Sequence, residues 1–278
     1  MSYAITLTTD KSRLHAFMQV DPIWAAYAIG DLEPVHFAWC TWYLAEDAAG
    51  QPAGLVLLYR RLNPPVLLTM GQTAAIAAIL QQITLPDRIS MSAQEAHLPL
   101  LQEHYDFCAD RVRPMLRMTV TPDSFLPATT GPGETVPALR RLGAADVPAI
   151  EALIALGGPF APDAFMPSQV DEGVFFGIEA AGGPGMPVPR LWAVAGTHLT
   201  APAWGVAAVG NVYVHPAQRG RGYGAQVSSA VTADLLQRGL RVVLNVDQDN
   251  LAAIGLYRQL GFAVHCPFVE GNGAVRNA

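Results

Sequence analysis

The sequence has one lysine, Lys11, in 278 residues; its other basic side chains are arginines. A P-loop needs a lysine directly after its glycines to reach the phosphates, so nucleoside-triphosphate chemistry of that kind is excluded. Cysteine is scarce too. Cys40, Cys108 and Cys266 are odd in number and widely spaced, which suits buried free thiols in a reducing cytoplasm better than a disulfide framework. Neither these cysteines nor the histidines show metal-ligand spacing, so no metal is expected. There is no Gly-x-Ser-x-Gly elbow for nucleophilic hydrolysis. No uninterrupted apolar run reaches the ~18 residues that a membrane span needs. The first eleven residues lack the basic-then-apolar order of a secretory signal. The net charge of −6 argues against a basic nucleic-acid-binding face. The expectation is a cytoplasmic protein, monomer or homodimer, with no membrane or nucleic-acid partner.

What is present is apolar and patterned: 51% of residues are hydrophobic. Alternating or β-branched apolar runs at residues 3–8, 37–45, 53–60, 66–70, 88–91 and 115–120 read as strands. Helical spacing marks residues 11–20, 22–32, 73–83 and 95–105. Residues 122–137 are dense in Pro, Gly and Thr without periodicity, and read as a linker. Beyond it come a strand at 138–141, a helix to 156, an irregular loop at 157–167 and a helix end near 169–175. Strands follow at 175–179, 191–197 and 206–214, with a turn at 180–189 and a glycine-rich segment after the last. A helix to 239, a strand at 240–246, a helix at 250–260 and a strand at 262–269 complete the reading, leaving 271–278 frayed. The two halves share a loose order of elements. The fold class is therefore α/β, mixed with α+β character. A central, mostly antiparallel twisted sheet is flanked by helices. The domains are 1–121, the linker 122–137, and 138–278, the first reading as a degenerate copy of the last. In the first copy Met70, Gly71 and Gln72 stand where the second has its glycine turn, so the first would lack a phosphate cradle.

That glycine turn is the densest signal. Val212, Tyr213 and Val214 end a strand that Pro216 stops. Arg219, Gly220, Arg221, Gly222, Tyr223 and Gly224 follow, and from Ala225 the apolar spacing is helical. A strand feeding a glycine-rich turn feeding a helix aims successive backbone N–H groups and a helix N-terminus at one point, a ready site for phosphate or pyrophosphate. Glycine permits close approach and positive φ.

The run Val214-x-Pro216-x-x-Arg219-x-x-Gly222-x-Gly224-x-x-Val227 resembles the acyl-CoA-binding signature of the GNAT N-acyltransferase superfamily. Asn250-x-x-Ala253-Ile254-x-Leu256-Tyr257-x-x-x-Gly261-Phe262 resembles its second signature, in order and with a strand between. The resemblance covers the second half of the chain and implies a GNAT-like domain in a two-domain arrangement, with acetyl-CoA as co-substrate. It implies that backbone amides from Arg219 to Gly224 hold the pyrophosphate, that the strand edge at Val212 to Val214 pairs with the pantetheine arm, and that Asn250 hydrogen-bonds that arm. Tyr257 matches the tyrosine that protonates the departing thiolate. A phenol at hydrogen-bond distance can give a thiolate its proton, and Tyr257 follows Asn250 by about two helical turns. Many members carry a glutamate base in the strand before the turn; here the polar residues are Asn211 and Tyr213. His198, His215, Glu172 and Asp247 are the candidates for that role, each also explicable as structural.

The resulting expectation is an N-acetyltransferase moving an acetyl group to a small-molecule amine or peptide acceptor, which enters from the side of the 157–169 loop. Two other classes remain. Gly220-x-Gly222-x-x-Ala225 also satisfies a dinucleotide-binding oxidoreductase fingerprint, with Asp247 as the ribose acid, but the strands before it read as hairpins rather than a parallel sheet. A non-catalytic acyl-CoA-binding module would use the same pocket without needing Tyr257.

Overall fold

A computed structural model describes residues 3–129, 138–179 and 191–276, apart from the side chains of 108–111. The expected turn at 180–189 and half of the expected linker, residues 130–137, lie outside the described residues, as does the Cys108 side chain. The chain divides into two compact units. The first takes in Met1–Arg117, Asp247–Asp249 and Cys266–Ala278; the second, Met118–Val246 and Asn250–His265.

In the first unit β1 (Ala4–Leu7), α1 (Lys11–Met18), α2 (Ala26–Gly30), α3 (Pro34–Phe37), β2 (Cys40–Glu46), β3 (Pro52–Tyr59), β4 (Val66–Gly71), α4 (Thr73–Gln82), β5 (Arg88–Ala93), α5 (Leu98–His104) and β6 (Tyr105–Val120) follow in order. Strands β1 to β4 pair antiparallel with their neighbours, and β4 pairs parallel with β5 across the α4 crossover. Strand β3 reads Ala-Gly-Leu-Val-Leu-Leu and is buried on both faces, so an unbroken apolar run rather than an alternating one fits it. Helix α4 lays Ala75, Ile76, Ile79 and Leu80 on a core with Val56, Leu58, Leu67 and Met91. Trp42 is buried, whereas Trp39 is half exposed. Residues 37–39 were expected to open a strand. Pro34 instead starts a short helix, the position where its missing N–H costs nothing.

The second unit repeats this order. Strand β7 (Leu139–Arg141), α6 (Val147–Ile154), α7 (Ser168–Glu172), β8 (Phe176–Glu179), β9 (Leu191–Ala201), β10 (Val206–Val214), α8 (Tyr223–Gln237), β11 (Arg241–Asp247), α9 (Leu251–Gln259) and β12 (Ala263–Val275) follow. Strands β7 to β10 are antiparallel neighbours, and β10 pairs parallel with β11 across α8. Leu142, Ile150, Leu153, Val170, Phe175, Val194 and Tyr213 form the core under α6 and α7. Each unit thus has four antiparallel strands, then one parallel strand reached through a helix.

Strand β12 does not stop near residue 269 as expected. Its later part belongs to the first unit and pairs with β5, from Val269 opposite Ala93 to Ala274 opposite Arg88. Glycines 271 and 273 weaken a strand intrinsically, but a neighbour with a free edge supplies the ladder. The expected frayed tail is therefore ordered through Val275.

Candidate active site

The site begins where β10 leaves β11. Their parallel register runs from Val206 opposite Arg241 to Val209 opposite Leu244, where it ends. Strand β10 continues for five more residues, through Gly210 to Val214. On its other side β10 stays paired with β9, but Gly210 faces Gly196 and Tyr213 faces Val194. Strand β10 uses one residue more than β9 over that interval, which is a β-bulge. Asn211 sits in it with φ 52°, and Asn tolerates this left-handed conformation better than most residues. Its buried Nδ2 donates to Gln169 Oε1 at 3.0 Å and to Thr197 O at 3.3 Å. On the β11 side the 210–214 edge is left without a partner in the register, an opening in the strand pairing.

The glycine turn closes that opening at one end. His215 N–H donates to Trp192 O, and Pro216–Gln218 makes a single 3-10 turn. Gly220 has φ +76° and Gly222 φ +75°; a Cβ on either would meet nothing within 4 Å. These two are glycine because of φ, and their vacant side faces open space. Gly224 is different. It lies inside α8, and a Cβ there would stand 3.0 Å from Leu256 Cδ1 and 3.4 Å from Val214 Cγ2. Its smallness serves the packing of α8 against α9 and β10. The first bond closing α8 runs from Gln226 N to Gly222 O at 3.1 Å. Helix geometry therefore leaves the Tyr223, Gly224 and Ala225 N–H groups without intrahelical carbonyls, at the positive end of the helix.

Side chains brace this arrangement. Tyr223 stacks on Trp192, with centroids 5.8 Å apart and planes 9° from parallel. Arg219 Nε donates to Val214 O at 3.4 Å, and its guanidinium lies 5.8 Å from the Tyr213 ring centroid. Tyr213 OH donates to Gly157 O at 2.5 Å, tying the 157–167 loop to β10. Arg221 is exposed. Val212 and Val214 are half-buried, on the strand edge at the opening.

Helix α9 contributes the second group. Asn250 caps it, Oδ1 accepting from Ala253 N–H at 3.2 Å, the common use of Asn at a helix start. Leu256 is the residue that faces Gly224, so α9 lies beside the start of α8. Tyr257 is buried, its ring tilted against Phe262 at 5.8 Å. Burial pushes its phenol pKa up from the ordinary tyrosine value, so it holds its proton at any physiological pH and can donate but not take one.

Of the four candidate bases, His215 and Asp247 have side-chain atoms engaged in local turns. His215 Nδ1 accepts from Ala217 N–H at 3.2 Å, capping the 3-10 turn. Glu172 O accepts from Thr200 Oγ1 at 2.7 Å, which joins α7 to β9 through the backbone of that residue. Asp247 Oδ1 accepts from Asp249 N–H at 2.9 Å and belongs to the first unit. The fourth, His198, lies against the bulge: a Cβ on Gly210 would stand 2.5 Å from its Nε2. Burial lowers its pKa below the ordinary 6.5, opposed by the Asp163 carboxylate. Trp192, Gln169 and Thr197 were not singled out in the sequence. Their partners lie far along the chain, and isolated polar or aromatic residues in a strand or short helix give no periodic signal.

The corresponding place in the first unit is filled. The parallel register of β4 with β5 ends at Leu68 opposite Ser92. Past it, His97 Nδ1 bonds Thr69 Oγ1 at 2.9 Å and Nε2 bonds Gly71 O at 3.1 Å, while Trp24 Nε1 donates to Thr69 O at 3.0 Å. Gln72 N–H, before α4, donates to Ala53 O. The groups that the second unit leaves facing an opening are here bonded within the protein.

Comparison with known proteins agrees with this geometry. Residues 164–262 match the model of the Acetyltransferase (GNAT) family. A mycothiol acetyltransferase of Renibacterium salmoninarum is 44% identical over 78 residues, 25% of this chain and 23% of that protein. The chain thus spans under a quarter of the length of the curated relatives it matches, the second, from Salinispora tropica, being covered to 21%. A crystal structure of a GNAT-family acetyltransferase from Novosphingobium aromaticivorans is 25% identical with a TM-score of 0.51, covering 76% of this chain and 84% of that one. A tandem GNAT protein from the clavulanic acid biosynthesis pathway superposes at a TM-score of 0.57 with 14% identity, covering 100% of this chain and 99% of that one. Residues 164–262 are thus similar to a GNAT acetyltransferase domain, and the chain as a whole has a two-domain GNAT-like fold.

Proposed function

We propose that the chain is an N-acetyltransferase that transfers the acetyl group of acetyl-CoA to a primary amine by direct attack in a ternary complex. The observation that carries this reading is the end of β10–β11 pairing at Val209, beside a helix start whose first N–H groups have no intrahelical carbonyl partners. A pyrophosphate suits Arg219 to Gly224 and the first turn of α8. An amide-containing pantetheine arm suits the bare 210–214 edge, which offers it strand-like hydrogen bonds. Asn250 Oδ1 is engaged as a cap, leaving its Nδ2 to donate to the arm.

The chemistry then falls to few groups. Aminolysis of a thioester forms a C–N bond and expels a thiolate, whose electron pair must be neutralised. Tyr257, protonated and on the helix beside the glycine turn, gives that sulfur its proton. Residues 138–278 form the catalytic half of this reading, although the strand that ends them is counted with the first unit. The oxidoreductase alternative fits poorly, because β9 runs antiparallel to the strand that leads into the glycine turn, whereas a dinucleotide fold opens on a parallel sheet.

The test has two stages. Calorimetry on the full chain should show acetyl-CoA binding more tightly than NADH. A panel of primary amines, read by release of free thiol, should then give turnover with at least one. Tighter NADH binding would move the reading to an oxidoreductase, and binding without thiol release for any amine would leave a non-catalytic module.

A further inference from the structure

The family's usual carboxylate base has no counterpart in β10, and the amides around the bulge cannot replace it. Asn211 and Gln169 bond each other, and an amide does not take a proton near neutrality. His198 is placed differently. It lies on β9, and its ring, Cδ2 first and then Nε2 and Cγ, rests against Gly210, the first residue of β10 beyond the end of pairing with β11. A side chain of any size at position 210 would displace the imidazole. The backbone of His198 is itself anchored, its carbonyl accepting from Gln169 Nε2 at 3.2 Å. From the 157–167 loop the Asp163 carboxylate acts on the ring, while burial keeps the imidazole neutral at neutral pH. The bulge therefore brings together the end of the β10–β11 pairing and the His198 imidazole.

We propose that His198 is the general base that prepares the acceptor amine; this rests on the acetyltransferase reading above. The acceptor is then a primary amine that arrives as its ammonium ion. His198 takes one proton from R–NH3+ and becomes imidazolium. The neutral amine attacks the thioester carbon and a C–N bond forms. The C–S bond breaks, its electron pair goes to sulfur, and the Tyr257 hydroxyl protonates the thiolate. The second nitrogen proton returns to the Tyr257 phenolate, and the imidazolium proton leaves to water. The sum is R–NH3+ plus acyl thioester giving amide, free thiol and one proton.

The test compares two small amines at pH 7 on the full chain with acetyl-CoA: ethylamine, which is cationic, and trifluoroethylamine, which is already neutral. With His198→Gln, thiol release from ethylamine should fall about 10²-fold, the usual weight of a general base, and release from trifluoroethylamine should fall less than about threefold. Gly210→Ala, which pushes the ring away while keeping the imidazole, should reproduce that imbalance. His198→Gln should retain wild-type acetyl-CoA affinity by calorimetry, and Gly210→Ala should keep the wild-type circular-dichroism spectrum and cooperative denaturant melt, which shows that both are folded. Asp163→Asn should shift the acid limb of the ethylamine pH profile to lower pH, since the carboxylate holds the imidazole pKa up. An equal loss with both amines, or no loss, overturns His198 as base. If the wild type binds acetyl-CoA but releases no thiol with either amine, the base falls and the donor site stands. If it does not bind acetyl-CoA at all, the acetyltransferase reading falls with it.

Discussion

Gly222→Ala separates backbone strain from ligand contact, because the structure contains its own control. Gly222 has φ +75° and Gly50 has φ +74°, and a Cβ on either meets nothing within 4 Å. The left-handed conformation costs a non-glycine residue roughly 1–2 kcal/mol, and no clash adds to it in either case. Gly222→Ala and Gly50→Ala should therefore destabilise the chain by the same ~1–2 kcal/mol in denaturant unfolding followed by fluorescence. They should differ in binding. The Gly222 methyl enters the space faced by the first N–H groups of α8, whereas Gly50 lies in the tight turn between β2 and β3, its N–H bonded to Asp47 O at 2.9 Å. Loss of one hydrogen bond to a charged phosphate is worth about 1.5–3 kcal/mol, or roughly tenfold to a hundredfold in affinity. Calorimetry should show that loss for acetyl-CoA with Gly222→Ala and none with Gly50→Ala. Unchanged acetyl-CoA affinity in Gly222→Ala would refute the reasoning that this turn cradles the donor.

Other consequences follow from named contacts. Tyr257→Phe should lower thiol release about 10²-fold with acetyl-CoA affinity unchanged, since the ring's burial against Phe262 is retained; equal turnover would remove Tyr257 as the acid. Asn211→Ala should cost ~1–3 kcal/mol, because it removes the buried Nδ2 bonds to Gln169 Oε1 and Thr197 O, with only Met166 N–H still donating to Gln169 Oε1, and puts Ala at φ 52°; Asn211→Gly, spared the strain, should cost less in the same denaturant melts. The Arg140 guanidinium, 2.6 Å from Asp146, and the Gly143 N–H hold that carboxyl below its ordinary pKa of 3.8. The folded state thus binds the proton less readily than the unfolded one. This pair's stabilisation is complete above about pH 4 and is lost as pH falls through the depressed value. Arg140 is partly exposed, so solvent screening limits the effect to ~1 kcal/mol. Asp146→Asn should flatten the acid side of a stability–pH curve measured by denaturant melts.

The donor half of the site was legible in the sequence because its constraints are local. Positive φ at Gly220 and Gly222 demands glycine, the helix after them shows its own period, and both lie within a few residues of each other. Asn250 likewise announces a helix start through its own side chain. Gly224 was read with the other two glycines, yet its reason is a contact with Leu256 on another helix, which no local pattern reveals. The bulge was not legible for the same reason. Asn211 joins Gln169, a residue 42 positions away, and His198 matters only because the register sets it beside Gly210. Strand β6 was expected over 115–120 but spans Tyr105–Val120. Asp106, Asp110, Arg111 and Arg113 break its apolar pattern, and pairing with neighbouring strands outweighs that local preference. The repeat of element order across the two halves was visible. What filled the first unit's opening was not, because Trp24 and His97 reach Thr69 from 45 and 28 residues away.

The most direct measurement of the central claim is a crystal structure of the full chain with acetyl-CoA. The account predicts the pyrophosphate on the N–H groups between Arg219 and Ala225, the pantetheine arm along the 210–214 edge, and the thioester sulfur within hydrogen-bond reach of Tyr257 Oη. Acetyl-CoA seated elsewhere, or in this opening with its sulfur remote from Tyr257, would contradict it.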